Sequence, residues 1–403
     1  MAEQAIHRYR VNSIDILRGL VMVIMALDHV RDFFFKAVID NASNAALDPT
    51  NMQTTFPALF FTRWITHFCA PVFVFLAGTS IFLIAQKKSK KEVSAFLFKR
   101  GVWLVIVEIV IITLGWTFNP LYNVIILQVI WAIGISMILM SLLVQLPYKV
   151  ILALGLLILL GHNLLDMPET KNDLDKGFLA DLLYFSNFDF YSYAPNRGLI
   201  IVYSFLPWTA LMMVGYCFGK LYKPSMDPGR RKKILVGLGL GITALFIVLR
   251  LINIYGDPVP WQSQPRGPVY TFLSFLNANK YPPSLIFLSM TLGPSILLLA
   301  FLENIKNRVT DFFNIYGRVP MFYYILHFFI IHGLVVIVFY LSGYGAADIV
   351  SPNNPFLFRP NDFGFNLWGV YAVWIFVVLV LYPLCKKYDR YKSTHRDWWL
   401  SYL

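Results

Sequence analysis

The chain has 403 residues, of which 58% are hydrophobic and only 14% are charged. An ordinary soluble domain carries about 25% charged residues, so the composition excludes a soluble globular, an intrinsically disordered or a disulfide-stapled protein. The formal net charge is +12, but the basic residues gather in short runs between apolar stretches, which indicates membrane topology and no nucleic-acid partner.

Apolar stretches long enough to cross the hydrocarbon core, roughly 20 residues, recur from one end of the chain to the other. We predict an all-α integral membrane protein, a polytopic bundle formed by a single domain over residues 1–403. The sequence predicts about ten spans, at 13–37, 57–86, 95–116, 122–145, 148–165, 199–221, 232–254, 283–303, 319–341 and 367–386.

The basic residues predict the orientation of these spans. With the N-terminus in the cytoplasm, 24 of the 34 Lys and Arg residues fall in cytoplasmic segments and 10 in outer ones. The positive-inside rule therefore predicts that both termini are cytoplasmic. Three long outer loops, 166–198, 255–283 and 342–366, are then expected to build a lid or a binding surface. The many aromatic residues of the loop 166–198 fit either an interfacial belt or a sugar-stacking surface.

The first span carries the densest set of ionisable residues, which are functional candidates inside a membrane. One stripe forms along a helix face because its members are three or four residues apart: Asp15, Arg18, Met22, Met25, His29 and Asp32. Arg18 and His29 are separated by roughly 16 Å along the axis. A guanidinium suits a phosphate group, a neutral imidazole accepts a proton, and Asp32 is placed to hold the other imidazole nitrogen. The alternative is a salt-bridge cluster that only packs helices.

Other spans add further candidates. In the second span, Arg63 and His67 share a face, and His67 reaches a depth similar to that of His29. Pro71 is expected to kink this helix, and Gly78 to let a neighbour approach closely. His327, in the ninth span, either lines the same cavity or packs in the core.

Lys280 falls in a predicted outer loop, where it is expected to contact the acceptor. The three cysteines, Cys69, Cys217 and Cys385, lie in or beside apolar runs, and no metal site or disulfide framework is expected from them.

Several motifs together resemble the transmembrane acyltransferase superfamily, and within it the bacterial relatives of heparan-alpha-glucosaminide N-acetyltransferase. They are Ser13-Ile14-Asp15-Ile16-Leu17-Arg18-Gly19-Leu20, the Arg18-to-His29 spacing, and the segments 71–80, 203–219, 279–294, 317–327 and 398–403. The resemblance covers nearly the whole chain. It implies an enzyme of the bacterial inner (plasma) membrane that moves an acyl group, usually acetyl, from cytosolic acyl-CoA to a sugar hydroxyl or amine on the outer side.

The resemblance also implies roles for individual residues. Arg18 and His29 match the essential Arg and His of polysaccharide O-acyltransferases. The catalytic candidates are then His29 as general base and Asp32 as its support. Phosphates of acyl-CoA are expected near Arg18 and the basic loops 87–100 and 220–233. The remaining substrate-binding candidates are Asp15, Arg63, His67, Lys280 and His327.

One departure from the family bears on the mechanism. The related lysosomal N-acetyltransferase carries Asn at the position of His29 and a reactive His in its first outer loop, whereas residues 36–62 contain no His. A ternary complex with His29 as base is therefore favoured over an acyl-histidine intermediate. The expected partners are acyl-CoA, a glycan or amino-sugar acceptor and the lipid bilayer. The acceptor, the acyl length and any homo-oligomer stay open.

A secondary transporter of a small anion or sugar is the rival hypothesis, since ionisable residues also line transport paths. It predicts inverted repeats and paired broken helices, and the sequence offers one break, at Pro71. A purely structural membrane protein leaves the charged stripe unexplained.

Overall fold

Helices dominate the computed structural model, which describes residues 11–36, 48–351, 354–360, 363–395 and 397–402. The helices of the first half are α1 Asn12–Phe34, α2 Pro57–Thr66, α3 Cys69–Ala85, α4 Lys90–Ile106, α5 Thr113–Thr117, α6 Val129–Leu143, α7 Tyr148–Gly161, α8 Pro168–Leu174 and α9 Phe178–Leu183. Those of the second half are α10 Leu206–Phe218, α11 Pro228–Ile252, α12 Pro268–Leu276, α13 Leu285–Leu302, α14 Arg308–Arg318, α15 Pro320–Leu341 and α16 Leu367–Thr394. The predicted cytoplasmic N-terminal segment, 1–10, lies outside the described residues.

A small sheet replaces parts of two predicted spans. Its strands are β1 Val124–Leu127, β2 Phe190–Ala194 and β3 Arg197–Ile201. β3 lies in the middle, parallel to β1 and antiparallel to β2. The predicted helices at 122–145 and 199–221 are therefore wrong over their first residues. The β-branched residues of β1 and β3 suit a strand once each finds a partner to pair with.

Proline sets the break between α2 and α3. Pro71 has no N–H to donate to the carbonyl of His67, and its ring collides with that carbonyl. The helix accordingly ends at Thr66 and a new one starts at Cys69. The kink predicted at Pro71 is confirmed, and His67 lies at the break.

α1 occupies the centre of the bundle, in contact with α2, α3, α13, α14, α15 and α16. Glycines allow the closest of these approaches. A Cβ on Gly317 would lie 1.8 Å from the carbonyl oxygen of Asp15, so α14 packs against the backbone of α1. A Cβ on Gly78 would lie 2.1 Å from the carbonyl oxygen of Met212, which confirms the close approach predicted there.

Six helical segments among the described residues are long and apolar enough to cross a membrane: Pro57–Ala85, Tyr148–Asp166, Pro228–Ile252, Leu285–Leu302, Pro320–Leu341 and Leu367–Thr394. Large apolar side chains stay exposed on several of them, Leu157 and Leu251 among others. Exposed apolar surface of this kind marks contact with lipid or a partner. The chain is an all-α membrane protein with little sheet, and the count of ten spans and the location of the termini stay predictions.

Candidate functional site

A cavity of about 710 Å³ opens among α1, α3, α4, α6 and α15. Its wall includes several basic residues that come from distant parts of the sequence: Arg18, Lys87, Lys88, Arg100, Arg318 and Lys392. Among the residues that the structure describes, Asp15 is the one acidic residue in that wall. The deeper wall is apolar, with Met22, Val129 and Met137. The cavity thus has a basic mouth and an apolar end, and we call it the large cavity.

A second cavity, of about 30 Å³, lies at the apolar end of the large cavity. It is lined by polar and apolar side chains: Met25, Asp28, His29, Thr66, Cys69, Ala70, Phe73, Gln128, Val129, Tyr203 and Lys280. Phe73 and Val129 line both cavities. We call this second cavity the small cavity. Phe73 and Val129 therefore form the wall between the large cavity and the small cavity.

His29 is buried in the wall of the small cavity, against three aromatic rings. Its ring centroid lies 5.0 Å from that of Trp116, 5.2 Å from that of His327 and 4.5 Å from that of Phe328. Nδ1 of His29 has no hydrogen-bond partner in the described part of the chain. This packing fixes the ring plane and leaves the imidazole facing the small cavity.

The expected contact between Asp32 and His29 is wrong. A carboxylate oxygen of Asp32 lies 2.5 Å from the guanidinium of Arg31, and the Asp32 side chain is 33% exposed. The ion pair with Arg31 directs the Asp32 carboxylate away from the His29 imidazole. The carboxylate that does lie beside His29 is Asp28, which lines the same cavity.

Asp28 is the centre of a buried ion network. Its carboxylate lies 2.9 Å from Arg31 and 2.5 Å from Arg63. The Thr66 hydroxyl donates to it at 2.9 Å. Arg63, predicted as a substrate-binding residue, thus contacts Asp28 and does not line either cavity. A buried carboxylate with these partners is fully compensated.

Arg18 lies in the wall of the large cavity. Its guanidinium donates to the Asp15 carboxylate at 2.8 Å, to the Gly317 carbonyl at 3.0 Å and to the Ser80 hydroxyl at 3.2 Å. The side chain remains 18% exposed. Three protein partners hold the guanidinium in place and still leave part of it facing the cavity.

The basic loop at 220–233 contributes less than expected. Pro224 is its one residue in the large-cavity wall. Arg231 instead pairs with the Glu303 carboxylate and lies over the Tyr222 ring. The mouth instead includes Arg318, at the end of α14, and Lys392, near the end of α16. Neither residue was predicted to bind the phosphates.

His67 and His327 both lie outside the cavity walls. His67 is buried at the break before α3, with its ring 5.4 Å from that of Phe287. The Nδ1–H of His327 donates to the Tyr324 carbonyl at 2.5 Å, and the His327 ring stacks on that of Tyr323 with the centroids 5.5 Å apart. Its ring centroid lies 5.2 Å from that of His29. His327 is fully buried and lines neither cavity, so of the two alternatives predicted for it, the structure shows core packing.

Lys280 reaches the small cavity from the loop between α12 and α13. Asp257 anchors this loop, since it accepts from the Asn279 backbone N–H at 2.8 Å and from the Ser284 hydroxyl at 2.7 Å. Burial raises the pKa of the Asp257 carboxyl, and the nearby Arg250 opposes that rise. The loop is thereby fixed, with Lys280 pointing inward.

Sequence reasoning missed Asp28, Gln128 and Tyr203. Asp28 could have been found, because it is an ionisable residue within a span and adjoins His29. Gln128 lies at the junction of β1 and α6, and Tyr203 follows β3. No pattern along the chain indicates that these two junctions meet at one cavity. Within the described ranges, no group of three or more His, Cys, Asp or Glu side chains is placed to hold a metal ion.

The comparison with known proteins agrees with the motifs. The family model for the heparan-alpha-glucosaminide N-acetyltransferase catalytic domain matches residues 10–249. No curated protein matches the chain. The matched region is more than half of the chain and includes Arg18, His29 and Tyr203, whereas Lys280 and His327 lie beyond it. The chain belongs to the heparan-alpha-glucosaminide N-acetyltransferase catalytic-domain family, a family of membrane acetyltransferases.

Proposed function

We propose that this protein transfers the acetyl group of acetyl-CoA to a hydroxyl or amine of a sugar. The observation that carries the proposal is the contact between the two cavities. The large cavity, with its basic mouth, ends at Phe73 and Val129, and the small cavity that holds His29 begins at the same two residues. A donor bound in the large cavity would present its thioester to His29.

The large cavity suits coenzyme A in charge and in length. Lysine and arginine side chains bind phosphates, and they line its mouth. The pantetheine arm has about as many chain atoms as four residues, which span roughly 14 Å when extended. Along α3, Phe73 and Ala85 are about 18 Å apart at 1.5 Å per residue. A thioester beside Phe73 thus leaves the phosphates close to Lys87 and Lys88.

The small cavity suits the reacting acetyl group. A water-sized group needs about 10–15 Å³, so about 30 Å³ accommodates two such groups, the carbonyl and the methyl of acetyl. In the reaction, His29 takes the proton of the acceptor hydroxyl or amine while the acceptor attacks the thioester carbon. The carbon–sulfur bond then breaks, and the thiolate of coenzyme A takes the proton from the imidazolium.

The charge distribution supports an orientation for this transfer. Lys87, Arg318 and Lys392 belong to segments predicted on the cytoplasmic side, and they meet at one mouth. Tyr203 lies near the outer end of the predicted span 199–221 and Lys280 in a predicted outer loop, and both line the small cavity. Acetyl-CoA would therefore enter from the cytoplasm and the acceptor from the outer side of the bacterial inner membrane.

Purified protein in nanodiscs tests the proposal. The substrates are acetyl-CoA and a panel of amino sugars and glycosides, and the readouts are free coenzyme A thiol and the acetylated sugar by mass spectrometry. We expect both products in equal amounts, and neither with His29→Ala. A His332→Ala variant is the matched control, because His332 is buried and bonded to the Gly115 and Leu357 carbonyls, away from both cavities.

The rival transporter gives a different result. Proteoliposomes would then accumulate a labelled sugar or anion while the acetyl-CoA concentration stays constant. That outcome, with no acetylated product, overturns the acetyltransferase proposal.

A further inference from the structure

Lys280 is a buried cation in the wall of the small cavity. Lys280 is 8% exposed, and it lines the small cavity together with His29. Its ammonium lies 5.8 Å from the ring centroid of Tyr203 and 5.0 Å from that of Tyr281. These rings stabilise the cation through their π faces but do not neutralise it.

No carboxylate lies within 4.0 Å of the Lys280 ammonium among the residues that the structure describes. Asp28 is the acidic residue of the small-cavity wall, and Arg31 and Arg63 already bind its two oxygens. A buried charge without a counter-charge is costly. The site is therefore set to stabilise a negative charge that appears in the small cavity.

We propose that Lys280 is a catalytic residue that stabilises the oxyanion of acetyl transfer, an inference that rests on the function proposed above. When the acceptor oxygen or nitrogen bonds to the thioester carbon, the carbonyl electron pair moves onto oxygen. The Lys280 ammonium donates a hydrogen bond to that oxyanion while His29 holds the acceptor proton. The oxygen pair then re-forms the carbonyl, the carbon–sulfur bond breaks, and the thiolate takes the proton from His29.

The room in the small cavity agrees with this role. About 30 Å³ is enough for the acetyl carbonyl and methyl, so the carbonyl oxygen lies within the same small space as the Lys280 and His29 side chains. A preorganised donor does not need to reorganise when the charge develops. In this step the oxyanion gives the Lys280 ammonium an anionic partner.

Steady-state kinetics of Lys280→Met test the proposal. Loss of one oxyanion donor typically lowers kcat by about 10²–10³-fold, and we expect that loss with the KM values for acetyl-CoA and for the acceptor changed less than about threefold. Lys280→Arg should recover part of kcat, since it restores a cationic donor. The matched control is Lys171→Met, which removes an exposed lysine of α8 that pairs with Asp175 and should leave kcat unchanged.

The outcomes separate this role from others. A raised KM for the acceptor with unchanged kcat would make Lys280 an acceptor-binding residue and overturn the proposal. If Lys280→Met does not fold, as judged by thermal unfolding in detergent, Lys280→Gln replaces it, and a wild-type kcat in that variant also overturns the proposal. Failure of the wild-type protein to release coenzyme A, in contrast, contradicts the proposed function itself.

Discussion

Replacement of Phe73 by alanine should relax the preference for short acyl chains. Phe73 is one of two side chains between the large and small cavities. The small cavity holds about two water-sized groups, which acetyl fills. Butyryl brings two more methylenes, and without the wall at Phe73 these methylenes could occupy the space shared with the large cavity.

The size of the effect follows from the cost of a misplaced methylene. One extra methylene changes discrimination by about 1–3 kcal/mol, so two correspond to about 2–6 kcal/mol. The wild-type protein should then prefer acetyl-CoA to butyryl-CoA by about 30-fold to 10⁴-fold in kcat/KM. In Phe73→Ala this ratio should fall to about 10-fold or less, because the excluded methylenes find room.

The assay compares initial rates of thiol release from acetyl-, propionyl- and butyryl-CoA. Phe96→Ala is the matched control, since it removes the same side chain from the mouth of the large cavity, where Phe96 lies 5.5 Å from the Lys88 ammonium. The ratio should stay at its wild-type value in that variant. An unchanged ratio in Phe73→Ala, or an equal fall in both variants, would refute the assignment of the small cavity to the acetyl group.

Three further predictions concern binding, packing and the second histidine. Arg18→Ala should weaken acetyl-CoA binding by about 10–150-fold, the value of a charge-assisted hydrogen bond of about 1.5–3 kcal/mol, and an unchanged Kd in a folded variant would remove Arg18 from the phosphate site. Gly317→Ala should lower the unfolding free energy by about 1–3 kcal/mol, because its Cβ would lie 1.8 Å from an α1 carbonyl. Gly237→Ala should leave the unfolding free energy unchanged, because no atom lies within 4 Å of a Cβ built on Gly237. Equal Tm values for the two variants would contradict the close packing of α14 against α1. His67→Ala should keep more activity than His29→Ala, since it lines neither cavity, and equal losses would contradict this.

The helical fold and its breaks were readable from local chemistry. Apolar length indicated the spans, and Pro71 indicated the division of the second one. The sheet was not readable, because β1 and β3 pair across more than 60 intervening residues and each is an apolar run that also suits a helix. α14 was missed for a different reason: it is amphipathic and short, and it was assigned to a cytoplasmic loop between spans.

The candidate site was readable only along a single helix. The spacing in α1 indicated that Arg18 and His29 share a face, and both line a cavity wall. Asp32 is the carboxylate predicted to support His29, but it pairs with Arg31, and Asp28 lies beside His29 at the small cavity instead. Which carboxylate lies beside His29 depends on contacts with the neighbouring helices. The spacing of residues along one helix does not show where those helices lie.

We propose that the protein moves acetyl from acetyl-CoA to a glycan with His29 as general base, and one measurement tests this proposal most directly. Membranes that contain either the wild-type protein or His29→Ala at matched levels are supplied with ¹³C-labelled acetyl-CoA, and their glycans are analysed by mass spectrometry. General-base catalysis contributes about 10²–10⁴-fold, so labelled glycan should form with the wild-type protein and fall by that factor with His29→Ala. Equal labelling with both proteins, or no labelled glycan with either, would contradict the account.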